Sequence, residues 1–371
     1  MLSEDEKEKT PPSVMTSIPD DVIMECIAPR VPRYNHSMLS LVSKQFRSLV
    51  ASPRLYKTRS LLGCTEDCVY VLIEDCILEV ARWYSLNRRT KRNMPGTVEN
   101  RLVLISSLPP MPTAASYVVV GSNIFVMGGR YDWNVEEWEA QPPSSIALCI
   151  DCRTHTTRLV ADMPVGLMTN VSKVIDEKIY IVGRVWASAT IVEFDLRTEK
   201  WADGTKPGWE ADDRWLTSLS TTAGKGPSSF ENNCDHKLME DILMDKEEIK
   251  HYHLFDNECV MGNILYVYDR HKYILRTYDP KQRTWGVVKG LEKLPLGGDE
   301  SYIVSRGKML ILFLIVVLEY DDDASFQKRE LWCAEITVER REEGEIWGKV
   351  ECCDLLLEGG LIIGSCLVVT L

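Results

Sequence analysis

No apolar run in this chain is long enough to cross a membrane as a helix. The longest, residues 309–318, is bounded by Lys308 and Glu319, and a span needs about twenty residues, so this run reads as a buried strand. The first ten residues carry six charges and no apolar centre, which is unlike a secretory leader. Positive charge is also short: 43 Lys and Arg stand against 55 Asp and Glu, for a net charge of −12. Nucleic-acid binding needs clustered cations, so this balance argues against it. The densest basic stretch, Arg88 to Arg92, reads as a solvated loop. The motifs of common catalytic sites are missing as well: there is no phosphate-binding P-loop, no G-x-S-x-G and no H-E-x-x-H.

Metal ligands are poorly placed. Among twelve cysteines, Cys149 and Cys152 form a C-x-x-C. Residues 146–151 read as a strand, where positions three apart face opposite ways, so the pair cannot chelate there. Cys352 and Cys353 are adjacent and equally unsuited. Of the six histidines, His251 and His253 could share one face of a strand, but a surface pair is the simpler reading. No cofactor or metal is expected. The cysteines are expected to be free thiols in a reducing compartment, the cytoplasm or the nucleus.

What is present divides the chain in two. After a tail expected to be disordered over residues 1–15, residues 16–60 read as helical. Ser17-Ile18-Pro19-Asp20 has the features of a helix start. Val22, Ile23, Cys26 and Ile27 follow at helical spacing, and Leu39, Val42, Phe46 and Leu49 recur at steps of three, four and three. So short a module cannot bury all this apolar surface alone, and something must cover part of it.

From about residue 61 the pattern changes to short β-rich runs. One is Ser116 to Val120, a Gly-Ser-Asn turn, Ile124-Phe125-Val126, then Gly128-Gly129. An apolar strand ending in Asp, then a turn with Thr and an aromatic, recurs at Asp151, at Asp195 with Trp201, and at Asp279 with Trp285. The intervals are 44 and 84 residues, the second about twice the first. A period in the low forties with four strands per unit fits a β-propeller. The Asp and Thr residues suit tight turns, and the Trp residues suit packing between blades. Residues 205–255 have lost the signature and read as a degenerate blade or an insertion. Residues 361–371 are expected to add inner strands to the blade that starts near Val69, closing the ring and removing its edges. The expected fold is a small all-α module followed by an all-β propeller of about six blades, one of them degenerate.

Ser17 to Ile23, Leu39-Ser40-Leu41-Val42-Ser43-Lys44-Gln45-Phe46-Arg47-Ser48-Leu49 and Ser52-Pro53-Arg54-Leu55-Tyr56 resemble an F-box, with Ile18 in place of the usual Leu. The strand, double-Gly and Tyr-Asp-x-x-Thr-x-x-Trp pattern resembles the kelch repeat, and the whole resembles the plant F-box/kelch family. The resemblance implies a non-catalytic substrate-recognition subunit of a cullin-based SCF-type ubiquitin ligase. Its F-box would dock a Skp-family linker through Ile18, Pro19, Val22, Ile23, Leu39, Val42, Phe46 and Leu49, some of them serving as internal core. Propeller loops would hold a target protein, with Arg130, Tyr131, Trp133, Arg184 and Trp186 as candidates. Two other classes stay open: a kelch scaffold without ligase function, and a propeller enzyme.

Overall fold

The computed structural model describes residues 19–90, 98–131, 143–185, 188–207, 258–295, 300–318, 328–341 and 344–371. The chain forms two compact units, Met1–Thr65 and Glu66–Leu371.

The first unit is helical. Helix α1 (Asp20–Val22) continues as a wider turn over Ile23–Ile27 and a tight turn over Ala28–Arg30. Then come α2 (His36–Val42), α3 (Lys44–Val50) and α4 (Pro53–Leu61). Local chemistry sets the boundaries. Ser43 Oγ accepts from the Phe46 N–H at 3.2 Å and so caps α3. Ser52 Oγ accepts from the Arg54 N–H at 3.2 Å, and Pro53 opens α4 where no N–H is needed. The core holds Ile23, Met24, Ala28, Leu49, Leu55 and Tyr56.

The second unit is a β-propeller. Its strands begin with β1 (Asp67–Asp75), β2 (Val80–Thr90) and β3 (Val98–Leu104) in blade 1. Blade 2 is β4 (Ser116–Val120), β5 (Asn123–Met127), β6 (Ala147–Asp151) and β7 (Thr156–Leu159). Blade 3 is β8 (Met168–Ile175), β9 (Lys178–Val185), β10 (Ser188–Asp195) and β11 (Lys200–Trp201), with β12 (Lys206–Pro207) also on β10. Blade 4 is β13 (Glu258–Met261), β14 (Ile264–Asp269), β15 (Ile274–Asp279) and β16 (Thr284–Val287). Blade 5 is β17 (Glu300–Arg306), β18 (Met309–Val317), β19 (Arg329–Arg340) and β20 (Ile346–Gly359). The last strand, β21 (Leu361–Thr370), returns to blade 1 and pairs antiparallel with β1, from Asp67↔Thr370 to Asp75↔Leu361. The innermost strands β13, β17, β21, β4 and β8 lie side by side in that order.

Two sequence expectations need correction. The count of about six blades becomes five among the described residues. The sixth came from dividing the 84-residue interval between Asp195 and Asp279 by the repeat length. Most of the stretch assigned to it, residues 208–257 with His251 and His253, lies outside the described residues. The basic stretch is not simply a solvated loop either: Arg88 lies within β2 and forms an ion pair at 2.9 Å with Glu335, which is fully buried.

Blades pack face to face through apolar layers. Phe125 and Met127 of blade 2 meet Ile181, Val192 and Phe194 of blade 3. Trp83 of blade 1 lies edge-on to Tyr117 of blade 2 at 5.4 Å. Trp201 packs at a tilt against Phe194, ring centres 4.8 Å apart, and donates its indole N–H to the Ala161 carbonyl at 2.6 Å, tying blade 3 to the connection from blade 2. Trp285 instead lies on Tyr278 of its own blade, 5.1 Å away.

The aspartates act as turn caps. Asp195 Oδ1 accepts from the N–H groups of Arg197 (3.0 Å) and Thr198 (2.7 Å) and from the Thr198 hydroxyl (2.9 Å). Asp279 Oδ1 likewise accepts from the N–H groups of Lys281 and Gln282, and Asp151 Oδ1 from that of Arg153. The sequence repeat missed two more turns of the same design, at Asp75 and Asp269. In all five, the fourth residue after the Asp is left-handed: Glu79, His155, Glu199, Tyr273 and Arg283 have φ between 52° and 54°. Removing such a cap leaves two backbone donors without their acceptor. Asp195→Ala is therefore expected to lower the midpoint of urea unfolding. Asp195→Asn should cost less, because its amide oxygen still accepts.

Candidate interaction surfaces

In the helical unit, the eight F-box positions separate by environment. Ile23 and Leu49 are buried, Leu39 and Phe46 are half-buried, and Pro19, Val22 and Val42 are exposed. Ile18 lies outside the described residues. Helix α2 also presents two apolar residues that the motif did not single out: Met38 is 67% exposed and Leu41 76%, beside Val42 at 67%. Positions 38, 41 and 42 are spaced three and four apart and therefore share one helix face. That spacing is visible in the sequence, but Met38 and Leu41 fall outside the stripe of Leu39, Val42, Phe46 and Leu49.

A polar frame holds the unit behind this face. Buried Arg59 donates from Nη1 to the carbonyls of Pro29 (3.0 Å) and Val31 (2.8 Å). Arg33 donates to the Tyr56 hydroxyl at 2.8 Å and lies over its ring at 5.4 Å. His36 Nε2 bonds the Val31 carbonyl at 3.1 Å, which makes Nε2 the protonated nitrogen. Nδ1 is buried and meets no acceptor or donor among the described residues. Burial, with Arg59 and Arg33 nearby, pushes the His36 pKa down to about 4.

In the propeller, the loops at the ends of the second strands carry the target candidates. Arg130 is buried rather than displayed. Its backbone N–H donates to the Thr113 carbonyl at 2.9 Å and its carbonyl accepts from the Thr113 N–H at 2.7 Å, so it anchors the loop. The double glycine before it is needed for that approach. Gly129 has φ 81°, and a Cβ there would sit 2.5 Å from the Thr113 carbonyl oxygen. Tyr131 is exposed. Arg184 lies on β9, opposite Ala189, while Trp133 and Trp186 fall outside the described residues. Among the described residues of this loop, Tyr131 is therefore the candidate on display and Arg130 the one that is buried.

Sequence reasoning also missed a cluster where blades 1 and 5 meet. Glu74, at the end of β1, is half-buried, and its carboxyl has no hydrogen bond or ion pair to the described residues. Burial, and then the charge of Glu300, raise its pKa from 4.5 to about 7. Arg329 approaches Glu300 at 3.9 Å and donates to the Leu361 carbonyl at 3.2 Å. A β-bulge sits beside Glu74: Leu72 faces Ser365 while Ile73 faces Ile363, so Gly364 is the extra residue. A Cβ on Gly364 would lie 2.4 Å from Glu74 Oε1, so the carboxyl occupies the space that glycine leaves.

A helical module of the F-box class, joined in one chain to a kelch-type propeller, is what these two units define. The F-box domain family matches residues 15–58, and the FKB95, Kelch-repeats domain family matches residues 83–357. F-box/kelch-repeat protein At4g38940 of Arabidopsis thaliana is 41% identical, over 97% of this chain and 96% of its own length. F-box/kelch-repeat protein At4g39590 of the same plant is 32% identical, over 94% and 88%. Putative F-box/kelch-repeat protein At2g21680 is 29% identical, over 95% and 90%. The chain belongs to the plant F-box/kelch-repeat family.

The sign of the Glu74 effect follows from its raised pKa. The folded state holds the Glu74 proton more tightly than the unfolded chain does. That contribution is complete below about pH 4.5 and is lost as pH rises through about 7. Glu74→Gln, which keeps the shape and removes the charge, should leave stability unchanged at pH 4. At pH 8 it should raise it by about 3 kcal/mol in denaturant titrations.

Proposed function

We propose that this protein is a substrate-recognition subunit of a cullin-based SCF-type ubiquitin ligase. The helical unit docks a Skp-family linker, and loops of the propeller hold a target protein. The observation that carries the reading is the apolar face of α2, Met38, Leu41 and Val42, displayed within a module that matches the F-box family. Exposed apolar side chains grouped on one helix face are a feature of partner surfaces. Within the eight motif positions, Ile23 and Leu49 serve the module's core, and Pro19, Val22, Leu39, Val42 and Phe46 remain available to the linker.

Such a subunit breaks no bond itself. It raises the local concentration of the target beside the ubiquitin-charged enzyme, a matter of linkage geometry rather than acid–base chemistry. The eleven described cysteines are free thiols, which fits a reducing compartment, the cytoplasm or the nucleus.

A pull-down with a purified Skp-family linker tests the reading. Wild-type protein should bind. Leu41→Asp with Val42→Asp, which changes exposed positions and leaves the core intact, should weaken binding by about a hundredfold. A folded wild-type protein that fails to bind would sink the adaptor reading. Full binding by the double variant would refute the assignment to α2.

A further inference from the structure

The closing strand β21 is not seated evenly along β1. Its ladder runs in step from Asp67↔Thr370 to Leu72↔Ser365, then resumes one residue out of step at Ile73↔Ile363. The bulge at Gly364 leaves a gap, and the Glu74 carboxyl fills it: a Cβ on Gly364 would lie 2.4 Å from Oε1 and 3.0 Å from Cδ. Beyond the bulge only Ile73↔Ile363, Glu74↔Ile362 and Asp75↔Leu361 complete the ladder. The blade 1 turn is tied to the same end, because the Cys76 N–H donates to the Gly360 carbonyl at 2.9 Å. The side chain at position 74 therefore lies where the start of β21 is either held or let go.

The groups around this carboxyl come from several strands. On blade 5, β17 brings Glu300, a like charge, and β19 brings Arg329. Arg329 is directed elsewhere: it approaches Glu300 at 3.9 Å and donates to the Leu361 carbonyl at 3.2 Å. On blade 2, β4 brings buried Tyr117, whose hydroxyl donates to the Pro112 carbonyl, with Tyr131 beyond it. Strand β2 places Ala81 opposite Glu74. The turn brings Cys76 and Asp75, whose Oδ1 is occupied by the N–H groups of Ile77 and Leu78. None of these groups makes a hydrogen bond or ion pair to Glu74 among the described residues.

Protonated, the carboxyl fits this enclosure as a neutral group. Ionised, it is a half-buried charge with no donor and with another carboxylate facing it, and both conditions oppose that form. A pKa of about 7 puts the exchange between the two forms near neutrality. The ionised group gains by moving toward water. The neighbour that gives way is the start of β21, which has the bulge on one side and the Gly359–Gly360 connection on the other.

We propose that Glu74 is a pH-sensitive latch for ring closure: with its proton it seats the first residues of β21, and without it that end of the strand and the blade 1 turn work loose while the rest of the ring stays closed. The latch does not depend on the adaptor reading.

Hydrogen exchange of the full chain, read by mass spectrometry at pH 6 and pH 8 as protection factors, tests the latch. Opening restores an ordinary carboxyl, so its equilibrium constant should rise by about tenfold between these pH values. Protection over residues 361–364 and 74–78 should fall by that factor and stay insensitive to low urea, because a local opening exposes little surface. Glu74→Gln keeps the shape and cannot ionise, so its protection should be equal at both pH values. Glu300→Gln removes the facing charge and releases Arg329, so it should move the transition to lower pH. Equal protection of the wild type at the two pH values overturns the latch, as does a pH-dependent loss that persists in Glu74→Gln or a transition that Glu300→Gln leaves in place. A loss that grows with urea and is shared by β9 and β14 is unfolding of the whole propeller, and it overturns the latch too.

Discussion

The propeller depends on one strand pairing, β1 with β21, which joins the first strand of the unit to the last. Glu66 and Leu371 exchange two backbone hydrogen bonds at 2.9 and 3.0 Å at one end of this ladder. Asp67 reinforces it, accepting from the Thr370 hydroxyl at 2.6 Å and from the Gly307 N–H of blade 5 at 3.0 Å. Without β21, β1 would be an open edge and blade 5 would lose the layer formed by Val71, Ile363, Phe313 and Leu331. The same seam carries a buried ion cluster. Glu335 takes Arg306 from its own blade and Arg88 from blade 1. Such a cluster contributes little net stability compared with an apolar replacement, but removing one member strands a buried charge at a cost of about 3–5 kcal/mol. It therefore fixes which blades meet more than how strongly they hold.

The legible parts of this structure are those whose signal is local. Asp195 and Asp279 declare their turns because cap, turn and following aromatic lie within seven residues of one another. Asp75 and Asp269 make the same turn without the following Thr and Trp, so a search for the full repeat passed over them. The blade count differs for a related reason: a doubled interval was read as a hidden unit, whereas the described residues form five blades and most of that interval lies outside them. Arg88 looked like one of several solvated cations because its partner, Glu335, is far away in sequence.

In the helical unit, apolar spacing marked the right stretch but could not divide core from surface. Ile23 and Val22 are adjacent and equally apolar, yet one is buried and the other exposed, a division set by how α4 meets the turns over Ile23–Ile27 and Ala28–Arg30. Glu74 shows the opposite limit. A carboxylate at the end of the apolar run Val69 to Ile73 reads as the point where a strand reaches water. Only the bulge at Gly364 and the approach of blade 5 reveal that it is half-enclosed.

Closure by the last strand has a consequence in time. The helical unit is complete once residue 65 has been made, while β21 comes 296 residues later (361 − 65). At about 5–20 residues per second, synthesis leaves an interval of roughly 15–60 s in which the module is finished and the propeller is not. During it, β1 waits with an unpaired edge that β21 alone covers among the described residues. A ribosome that stops short of β21 therefore releases a product with its helical unit intact and its ring open.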